Sequence, residues 1–344
     1  PDIEGEADIV EEILRIYGFE QIPLTNISDH NNKINVLSAE LKSFYKIKRA
    51  IANTGYLEAV TWSFMDQKVA KLISDNIIKI KNPISADLDV MRPSNIPNLL
   101  IAVNQNKSKM INNGKIFEVG PIFGDNLEDK QVNAATAIGY GNVSGNNWNS
   151  TNKDFDVFQI KSDLMTILKS LNTPIDNFNY ETIDNRVFHP GKSSSLRIGK
   201  SIIANFGELN PILLKSFDIS NSVVAFEIFT ETLAQFQGKK KSTISAFDNN
   251  PFQTVERDFA FLLPKSVKAN DLVNKIKKID NKIINKVTIF DVYEGEKIEN
   301  NTKSIAIRVL LQPINKTFTD DEIDNISSQI IDTIIMSFNA TLRK

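Results

Sequence analysis

The sequence contains no cysteine and only two histidines, His30 and His189, among its 344 residues. The absence of cysteine excludes disulfides, thiolate zinc sites and cysteine nucleophiles. Two histidines are also too few for us to expect a histidine-based metal site or catalytic triad. The chain starts with Pro1 rather than Met and shows no signal peptide, so we expect a fragment of a longer protein.

Neither sign of charge is in excess, because 40 Lys and Arg face 42 Asp and Glu, for a net charge of −2. Non-specific nucleic-acid binding needs a positive surplus, so any RNA contact must come from a local site. No apolar run approaches the roughly 18 to 20 residues that cross a bilayer. A hydrophobic content of 41% and a charged content of 24% are typical of a soluble globular protein, and the length predicts about two domains.

The last hundred residues, 245–344, carry the most consistent local signals. Aromatic and branched runs predict four strands, and helical spacing predicts a helix between the first two. A Thr-x-x-Glu capping box at Thr319 predicts the start of a second helix. The predicted elements are strands Val255–Leu263, Lys286–Tyr293, Lys303–Gln312 and Ala340–Arg343, helix Lys268–Asp280, and a helix whose apolar stripe is Ile323, Ile326, Ile330, Ile331 and Ile334. This order is the ferredoxin-like βαββαβ unit.

Alternation along the third strand separates the two faces of this sheet. The residues that point toward the helices are Ile305, Ile307, Val309 and Leu311. On the preceding strand we expect Phe290 and Val292 to face the helices as well. The face opposite the helices, here called the open face, would then carry Asp291, Tyr293, Ser304 and Arg308.

An aromatic ring beside a carboxylate, a hydroxyl and a guanidinium suits unstacked RNA bases, which stack and hydrogen-bond by their edges. The alternative is an ordinary solvated sheet face. By count, residues 245–344 hold 14 Lys and Arg against 14 Asp and Glu. Without a basic excess, the residues alone favour the solvated face.

Several motifs of this segment, in order, resemble the ferredoxin-fold anticodon-binding domain that ends the bacterial phenylalanyl-tRNA synthetase beta subunit. They are RDFAFLL, FDVYEG, KSIAIRVLLQP, the T-x-T-D-x-E start of the last helix and the terminal LR. The resemblance implies that Tyr293 stacks on an anticodon base while Asp291, Ser304 and Arg343 hydrogen-bond around it. The family usually has Arg-Thr-Leu-Thr where this chain has Lys316-Thr317-Phe318-Thr319, a departure that keeps the charge and the cap.

Six acids lie on or just before a predicted helix that ends at Gly18, and four of them are candidate cation ligands, namely Asp2, Asp8, Glu11 and Glu12. Such oxygens could bind a hard cation such as Mg²⁺. From the pattern alone, the better interpretation is that the acids stabilise the helix start and pair with Arg15. The segment also resembles the end of the helical domain before the synthetase-like core. That resemblance implies a magnesium site at the four acids, near the alpha subunit.

Residues 38–119 resemble the opening of the beta subunit's synthetase-like core, through NPIS-x-D-x-x-x-MRPS-x-x-P-x-LL and KIFEVG. In class II synthetases an Arg two residues before a Glu grips the ATP phosphate. Glu118 is present here, but Ile116 replaces that Arg and cannot make a bidentate phosphate contact. The Gly-rich third signature is also missing. We therefore expect no catalytic residue in this chain.

Together these features predict an α+β protein with a class II synthetase-like antiparallel sheet core, flanking helices and a ferredoxin-like domain. The predicted divisions are 1–28 (end of the helical domain), 29–235 (non-catalytic core), 236–244 (linker) and 245–344 (anticodon-binding domain). The resemblance implies a cytoplasmic assembly of two alpha and two beta subunits that binds tRNA(Phe). In this assembly the chain would bind Mg²⁺ at its four acids, and the alpha subunit would use ATP.

Two other functions remain open at this point. One is a stand-alone class II amino-acid-activating enzyme, against which Ile116 and the missing Gly-rich signature argue. The other is a protein-interaction scaffold without RNA contact, which would be supported if another chain covered the open face.

Overall fold

A computed structural model describes residues 2–24, 37–124, 131–145, 148–149, 153–175, 178–236, 250–295, 298–299 and 301–343. The chain divides into two compact units, Pro1–Gly238 and Lys239–Lys344. His30 lies outside the described residues, and so does the predicted linker 236–244 except for Phe236. Within the described residues, every helix is too short or too polar to span a membrane.

The first unit combines helices with a seven-stranded sheet and a small two-stranded one. Its helices are α1 (Glu6–Tyr17), α2 (Ala39–Ala52), α3 (Gln67–Lys71), α4 (Ile96–Ser108), α5 (Val157–Ser170), α6 (Pro211–Lys215) and α7 (Thr230–Phe236). Its strands are β1 (Leu57–Glu58), β2 (Phe64–Met65), β3 (Val90–Met91), β4 (Gly114–Ile122), β5 (Val132–Tyr140), β6 (Asn179–Glu181), β7 (Phe188–Ile198), β8 (Ser201–Leu209) and β9 (Val223–Phe229).

The large sheet has the strand order β1-β4-β5-β9-β8-β7-β6 and is antiparallel except for the parallel pair β1–β4. Because successive side chains of a strand point to opposite faces, both faces can be apolar only if helices cover both. Phe117 of β4 packs with α2, α5 and α7 on one face. Its neighbour Ile116 packs with α4 and α6 on the other.

The segment EAVTWSF, which alternation predicts as one strand, is interrupted after Glu58. Thr61 donates its backbone N–H and its hydroxyl to the Glu118 carboxylate, at 3.3 and 2.7 Å, instead of joining a ladder. Val60 and Trp62 are consequently 87% and 68% exposed. The expectation of a continuous strand is therefore wrong here, and its alternate apolar residues face outward.

The second unit is the βαββαβ arrangement expected from the sequence. Its elements are β10 (Val255–Pro264), α8 (Ala269–Lys277), β11 (Ile284–Tyr293), β12 (Thr302–Leu311), α9 (Asp320–Phe338) and β13 (Thr341–Leu342). The strand order is β11-β12-β10-β13, and all pairs are antiparallel. Thr319 and Glu322 form the predicted capping box of α9. Both helices pack on one face of the sheet, around Phe261, Ile305 and Ile307.

Candidate nucleic-acid interface

The open face of the second unit has a floor of two small residues, Ala260 and Ala306, which pair directly across β10 and β12. Larger side chains stand at both ends of this floor. At one end Leu262 and Ser304 pair, and at the other Asp258 and Arg308 pair. The two alanine methyl groups are shorter than the side chains at either end, so this part of the open face lies lower and is here called the hollow.

All four residues that the resemblance assigns to tRNA binding border this hollow. Asp291 lies opposite Ala306, and Tyr293 lies opposite Ser304. The Arg343 backbone N–H donates to the Ala260 carbonyl at 2.8 Å, and its Nη1 donates to Ser304 Oγ at 3.5 Å. The two neighbouring strands and the C-terminal strand thus bring the four residues to one end of one face.

The two assigned residues in the Tyr293–Ser304 pair differ in accessibility. Tyr293 is half-buried and lies outside the apolar core. Its hydroxyl lies over Gly295, where an added Cβ would come within 2.6 Å of the oxygen. Ser304, in contrast, is only 4% exposed, because Tyr293, Leu262 and Arg343 surround it. Ser304 thus lies in the predicted row of the open face with its side chain buried, and its assignment to tRNA binding stays a prediction.

The prediction that Phe290 faces the helices is wrong. The register of β11 against β12 runs from Ile289 opposite Ile307 directly to Asp291 opposite Ala306, so Phe290 is the extra residue of a β-bulge. A bulge shifts the alternation, and the ring turns to the open face, where it is 55% exposed with its centroid 5.5 Å from Arg308 Cζ. Val292 lies opposite the core residue Ile305, yet 51% of it is exposed.

Arg308 is fixed by acids on the neighbouring strand. Its Nε and Nη2 donate to the two carboxylate oxygens of Asp258, both at 2.8 Å, and Glu256 lies 3.4 Å away. The hydrogen bond from Arg308 holds the pKa of the Asp258 carboxyl below its ordinary value. Sequence reasoning missed Asp258 as a residue of this face. Buried Phe259 and Phe261 alternate along β10 with Asp258 and Ala260, and this alternation could have placed Asp258 on the open face.

The predicted magnesium acids lie on or just before α1, the helix of the first unit whose described residues are all partly or fully exposed. The backbone N–H groups of Glu4 and Gly5 donate to Asp8 Oδ2 at 2.9 and 2.8 Å and hold the pKa of this carboxyl below its ordinary value. Glu12 accepts from Arg15 at 2.7 and 3.0 Å. Two of the four carboxylates are therefore already engaged within the helix.

The other two acids, Asp2 and Glu11, are exposed. Across the part of the chain that the structure describes, no three His, Cys, Asp or Glu side chains are arranged to hold a metal ion. The four acids, as they stand here, do not fit a magnesium ion. Their assignment as ligands remains a prediction, which requires Glu12 to leave Arg15.

In the core, the carboxylate at the Glu position of the class II signature is closed off from solvent. Glu118 is 4% exposed, and its Oε1 accepts from Arg92 Nη1 at 2.7 Å. Arg92 is 1% exposed and also donates from Nε to the Pro121 carbonyl at 2.8 Å. A Cβ at Gly120 would come within 2.5 Å of Arg92 Nη2, so glycine makes room for the guanidinium. Ile116, in the position of the missing Arg, is buried in the core.

A polar row continues from Glu118 across this sheet. Glu118 pairs with Thr136, Thr136 with Glu227, and Glu227 with Asn205. Ser94 donates to Glu227 Oε1 at 2.8 Å. Burial raises the pKa of the Glu227 carboxyl, because no cation lies among the partners of this carboxyl to offset the loss of water. Ser94, Thr136 and Glu227 are all buried and hydrogen-bond to one another inside the core.

His189 makes a local contact within β7. Its Nδ1 accepts from the Gly191 backbone N–H at 3.0 Å, and its carbonyl accepts from the Ser193 hydroxyl at 2.7 Å. The ring therefore stabilises the start of β7.

The fold combines a mainly antiparallel sheet core, covered by helices on both faces, with a ferredoxin-type module that follows it in sequence and has an open polar face. A family model described as the phenylalanyl tRNA synthetase beta chain CLM domain matches residues 24–230, more than half of the chain. A second, the ferredoxin-fold anticodon binding domain, matches residues 250–343. The chain belongs to the phenylalanyl-tRNA synthetase beta chain family.

Curated relatives agree with this assignment. The phenylalanine--tRNA ligase beta subunit of Rhodospirillum rubrum is 33% identical over 99% of this chain and 43% of that protein. The corresponding subunit of Bartonella henselae is 35% identical over 100% of this chain and 44% of that protein. The chain thus spans less than half the length of these relatives. Among solved structures, a pyrrolysyl-tRNA synthetase from Desulfitobacterium hafniense aligns at 12% identity over 71% of this chain and 88% of that one, with a TM-score of 0.45, too low to bear on function.

Proposed function

We propose that this chain is a non-catalytic part of the phenylalanine--tRNA ligase beta subunit. In this function it supports the ATP-dependent attachment of phenylalanine to tRNA(Phe) by binding the tRNA anticodon and by scaffolding the alpha subunit. The enzyme would be a cytoplasmic assembly of two alpha and two beta subunits, with ATP used by alpha. The family assignment supports this proposal, and the relatives are themselves named as beta subunits of this ligase.

The observation that carries the anticodon part is the hollow on the open face. It has a floor of two paired alanines, with a half-buried aromatic ring and three hydrogen-bonding side chains at one end. Single-stranded RNA is recognised by stacking on aromatic rings and by hydrogen bonds to base edges, which is the combination that Tyr293, Asp291, Ser304 and Arg343 offer. Because Ser304 is covered here, the proposal requires the Arg343 side chain to move when a base binds.

The scaffolding part is supported by apolar side chains that the first unit leaves uncovered. On α1, Ile9, Ile13 and Ile16 are 50%, 59% and 80% exposed. In the interrupted strand, Val60 and Trp62 are 87% and 68% exposed. Isoleucines spaced three and four residues apart lie on one side of a helix, and contiguous exposed apolar patches mark contacts with another chain. We propose the alpha subunit as that chain.

The non-catalytic part is supported by the buried Arg92–Glu118 pair and by Ile116. Neither can bind a nucleotide phosphate without opening the core. Magnesium at Asp2, Asp8, Glu11 and Glu12 is included in the proposal only for the assembled enzyme, where the neighbouring subunit could reorganise the exposed helix. No step of the reaction is assigned to this ion.

Purification of this chain together with the alpha subunit, followed by phenylalanylation of tRNA(Phe) with and without the chain, tests the proposal. We expect a complex, and charging that requires it. Binding to alpha with no tRNA contact would favour the scaffold without RNA. Amino-acid activation by the chain alone would favour the stand-alone enzyme.

A further inference from the structure

The end of the hollow opposite Tyr293 holds a second aromatic ring that the family assignment gives no function. The bulge in β11 turns Phe290 out of the helix-facing side, and 55% of its surface is exposed. An exposed phenylalanine on an edge strand costs solubility and invites aggregation, so a plain surface position would more often hold a polar residue. We therefore expect a ligand to cover the Phe290 ring.

Phe290 is also held in place rather than left loose. The guanidinium of Arg308 packs over it, 5.5 Å from the ring centroid. Arg308 is itself fixed by two hydrogen bonds to Asp258, at 2.8 Å each. A guanidinium that donates to both oxygens of one carboxylate has little freedom to move. The Phe290 ring that lies against it is therefore pre-oriented.

The charge of this face argues that the occupant is a base rather than a phosphate. The described side chains on the face include three acids and three cations, namely Glu256, Asp258 and Asp291 against Lys286, Arg308 and Arg343. Phosphate contacts need a cation whose charge is not already neutralised. The cation that lies against the Phe290 ring is Arg308, and its charge is engaged by Asp258 and Glu256, whereas Lys286 and Arg343 lie in other rows of the sheet. An aromatic face and hydrogen-bonding edges remain.

The two rings lie at different positions along β11. Phe290 and Tyr293 are three residues apart, at most roughly 10 Å at about 3.3 Å per residue, and the bulge shortens this span. One base between both rings would require two parallel rings about 6.8 Å apart, twice the base spacing of about 3.4 Å. Because proteins bind single-stranded RNA with its bases splayed, each ring can take a different base, with the Ala260–Ala306 floor between them.

We propose that Phe290, oriented by Arg308, is a second stacking platform that takes an anticodon base different from the one on Tyr293. This inference rests on the proposed anticodon-binding function. The open face then reads at least two unstacked bases along the strand direction. Arg308 acts as a positioning residue through its contact with the ring.

The test uses the full chain and an RNA hairpin whose loop carries the phenylalanine anticodon. The fluorescent base 2-aminopurine replaces each anticodon base in turn, because its emission is quenched by stacking. We expect Tyr293→Ala to restore emission at one position and Phe290→Ala at another, with affinity about tenfold weaker for each variant. Arg308→Lys, which keeps the charge but not the fork, should restore emission at the Phe290 position.

Val292→Ala is the matched control, because Val292 is as exposed as Phe290 on the same strand but lies opposite a core residue. It should bind and quench as the unmodified chain does. If Phe290→Ala lowers the melting temperature, Phe290→Leu keeps the apolar bulk and should still lose the quenching.

Unchanged affinity and quenching in both Phe290 variants would overturn the inference. Restored emission at the position that Tyr293→Ala also affects would overturn it too, because one platform would then suffice. Failure of the unmodified chain to bind the hairpin is a different result, since it removes the anticodon-binding function itself.

Discussion

The Arg92 guanidinium and the Glu118 carboxylate form a buried ion pair at 2.7 Å, with 1% and 5% of their side chains exposed. The pair joins the segment before α4 to the strand on which a class II enzyme would grip ATP. Thr61, Pro121 and Gly120 complete its surroundings. Glu118, whose position belongs to the nucleotide-binding signature of class II enzymes, is therefore part of the core in this chain.

Removal of one partner should therefore destabilise the first unit. Arg92→Met leaves Glu118 buried without a cation, and we expect a loss of about 3–5 kcal/mol in the free energy of unfolding. The double variant Arg92→Met/Glu118→Gln should recover part of this loss. Urea denaturation measures both changes.

Arg186→Met is the matched control for this experiment. Arg186 binds Asp75 through two hydrogen bonds of 2.9 and 2.7 Å, but more than half of each side chain is exposed. Its removal should change stability far less. A loss in Arg92→Met no larger than in Arg186→Met would show that the buried pair has no special importance.

The chain on its own should not activate phenylalanine. Ile116 cannot bind a phosphate, and Glu118 is engaged by Arg92. ATP–pyrophosphate exchange on the purified chain should equal the background, whereas the complex with alpha should show it. Exchange clearly above background by the chain alone would contradict the non-catalytic assignment.

Glu227 should make stability depend on pH. Burial raises its pKa above the ordinary 4.5, so the folded protein keeps a proton that the unfolded chain has already released. The free energy of unfolding should then fall as the pH rises from about 4.5 toward the raised pKa, and level off above it. Glu227→Gln carries no such proton and should lack this fall.

Urea denaturation across this pH range checks the Glu227 prediction, with the exposed Glu20→Gln as control. The stability of Glu227→Gln relative to the unmodified chain should increase with pH, and that of Glu20→Gln should not. A difference that stays constant with pH would mean that Glu227 is ionised in the core.

The sequence predicts the second unit almost completely, because each of its signals is local. Alternation identifies the core side of β12, and the capping box marks the start of α9. The bulge at Phe290 was missed because an extra residue in a ladder is defined by the partner strand, not by its own neighbours. The buried side chain of Ser304 was missed for a similar reason, since Arg343, which covers it, is 39 residues away.

The sequence was less informative about the acids of α1 and about the core pair. The same residue types cap a helix, pair with arginine or bind a cation, so spacing alone cannot separate these functions. Asp8 and Glu12 have the local partners that the simpler interpretation predicts. Arg92 and Glu118 are 26 residues apart, and only the tertiary fold shows that they meet.

Magnesium binding at the four acids can be separated from helix capping by one substitution. Asp8→Asn keeps an oxygen that can accept from Glu4 and Gly5, but it removes the charge that a hard cation needs. In the complex with alpha, this variant should keep its helix content and lose Mg²⁺ binding by titration calorimetry. An unmodified complex that binds no ion at millimolar Mg²⁺ would remove the prediction.

The last prediction concerns Tyr293, whose ring is half-buried, outside the apolar core and opposite Ser304. A ring stacked on a base contributes roughly 1–3 kcal/mol by truncation. Tyr293→Ala should therefore weaken tRNA binding about ten- to a hundredfold while the melting temperature changes little. Tyr293→Phe keeps the ring and should keep most of the affinity.

Phe261→Ala provides the comparison that makes the Tyr293 result decisive. Phe261 lies on the same sheet but is fully buried against the helices, so its truncation should cost about 3–5 kcal/mol of stability. Thermal melting and tRNA binding on both variants distinguish a platform from a core residue. A residue that stacks on the anticodon must contribute to tRNA binding and not to the core. If the melting temperature of Tyr293→Ala falls as far as that of Phe261→Ala, or if Tyr293→Ala binds tRNA as tightly as the unmodified chain, Tyr293 does not stack on the anticodon.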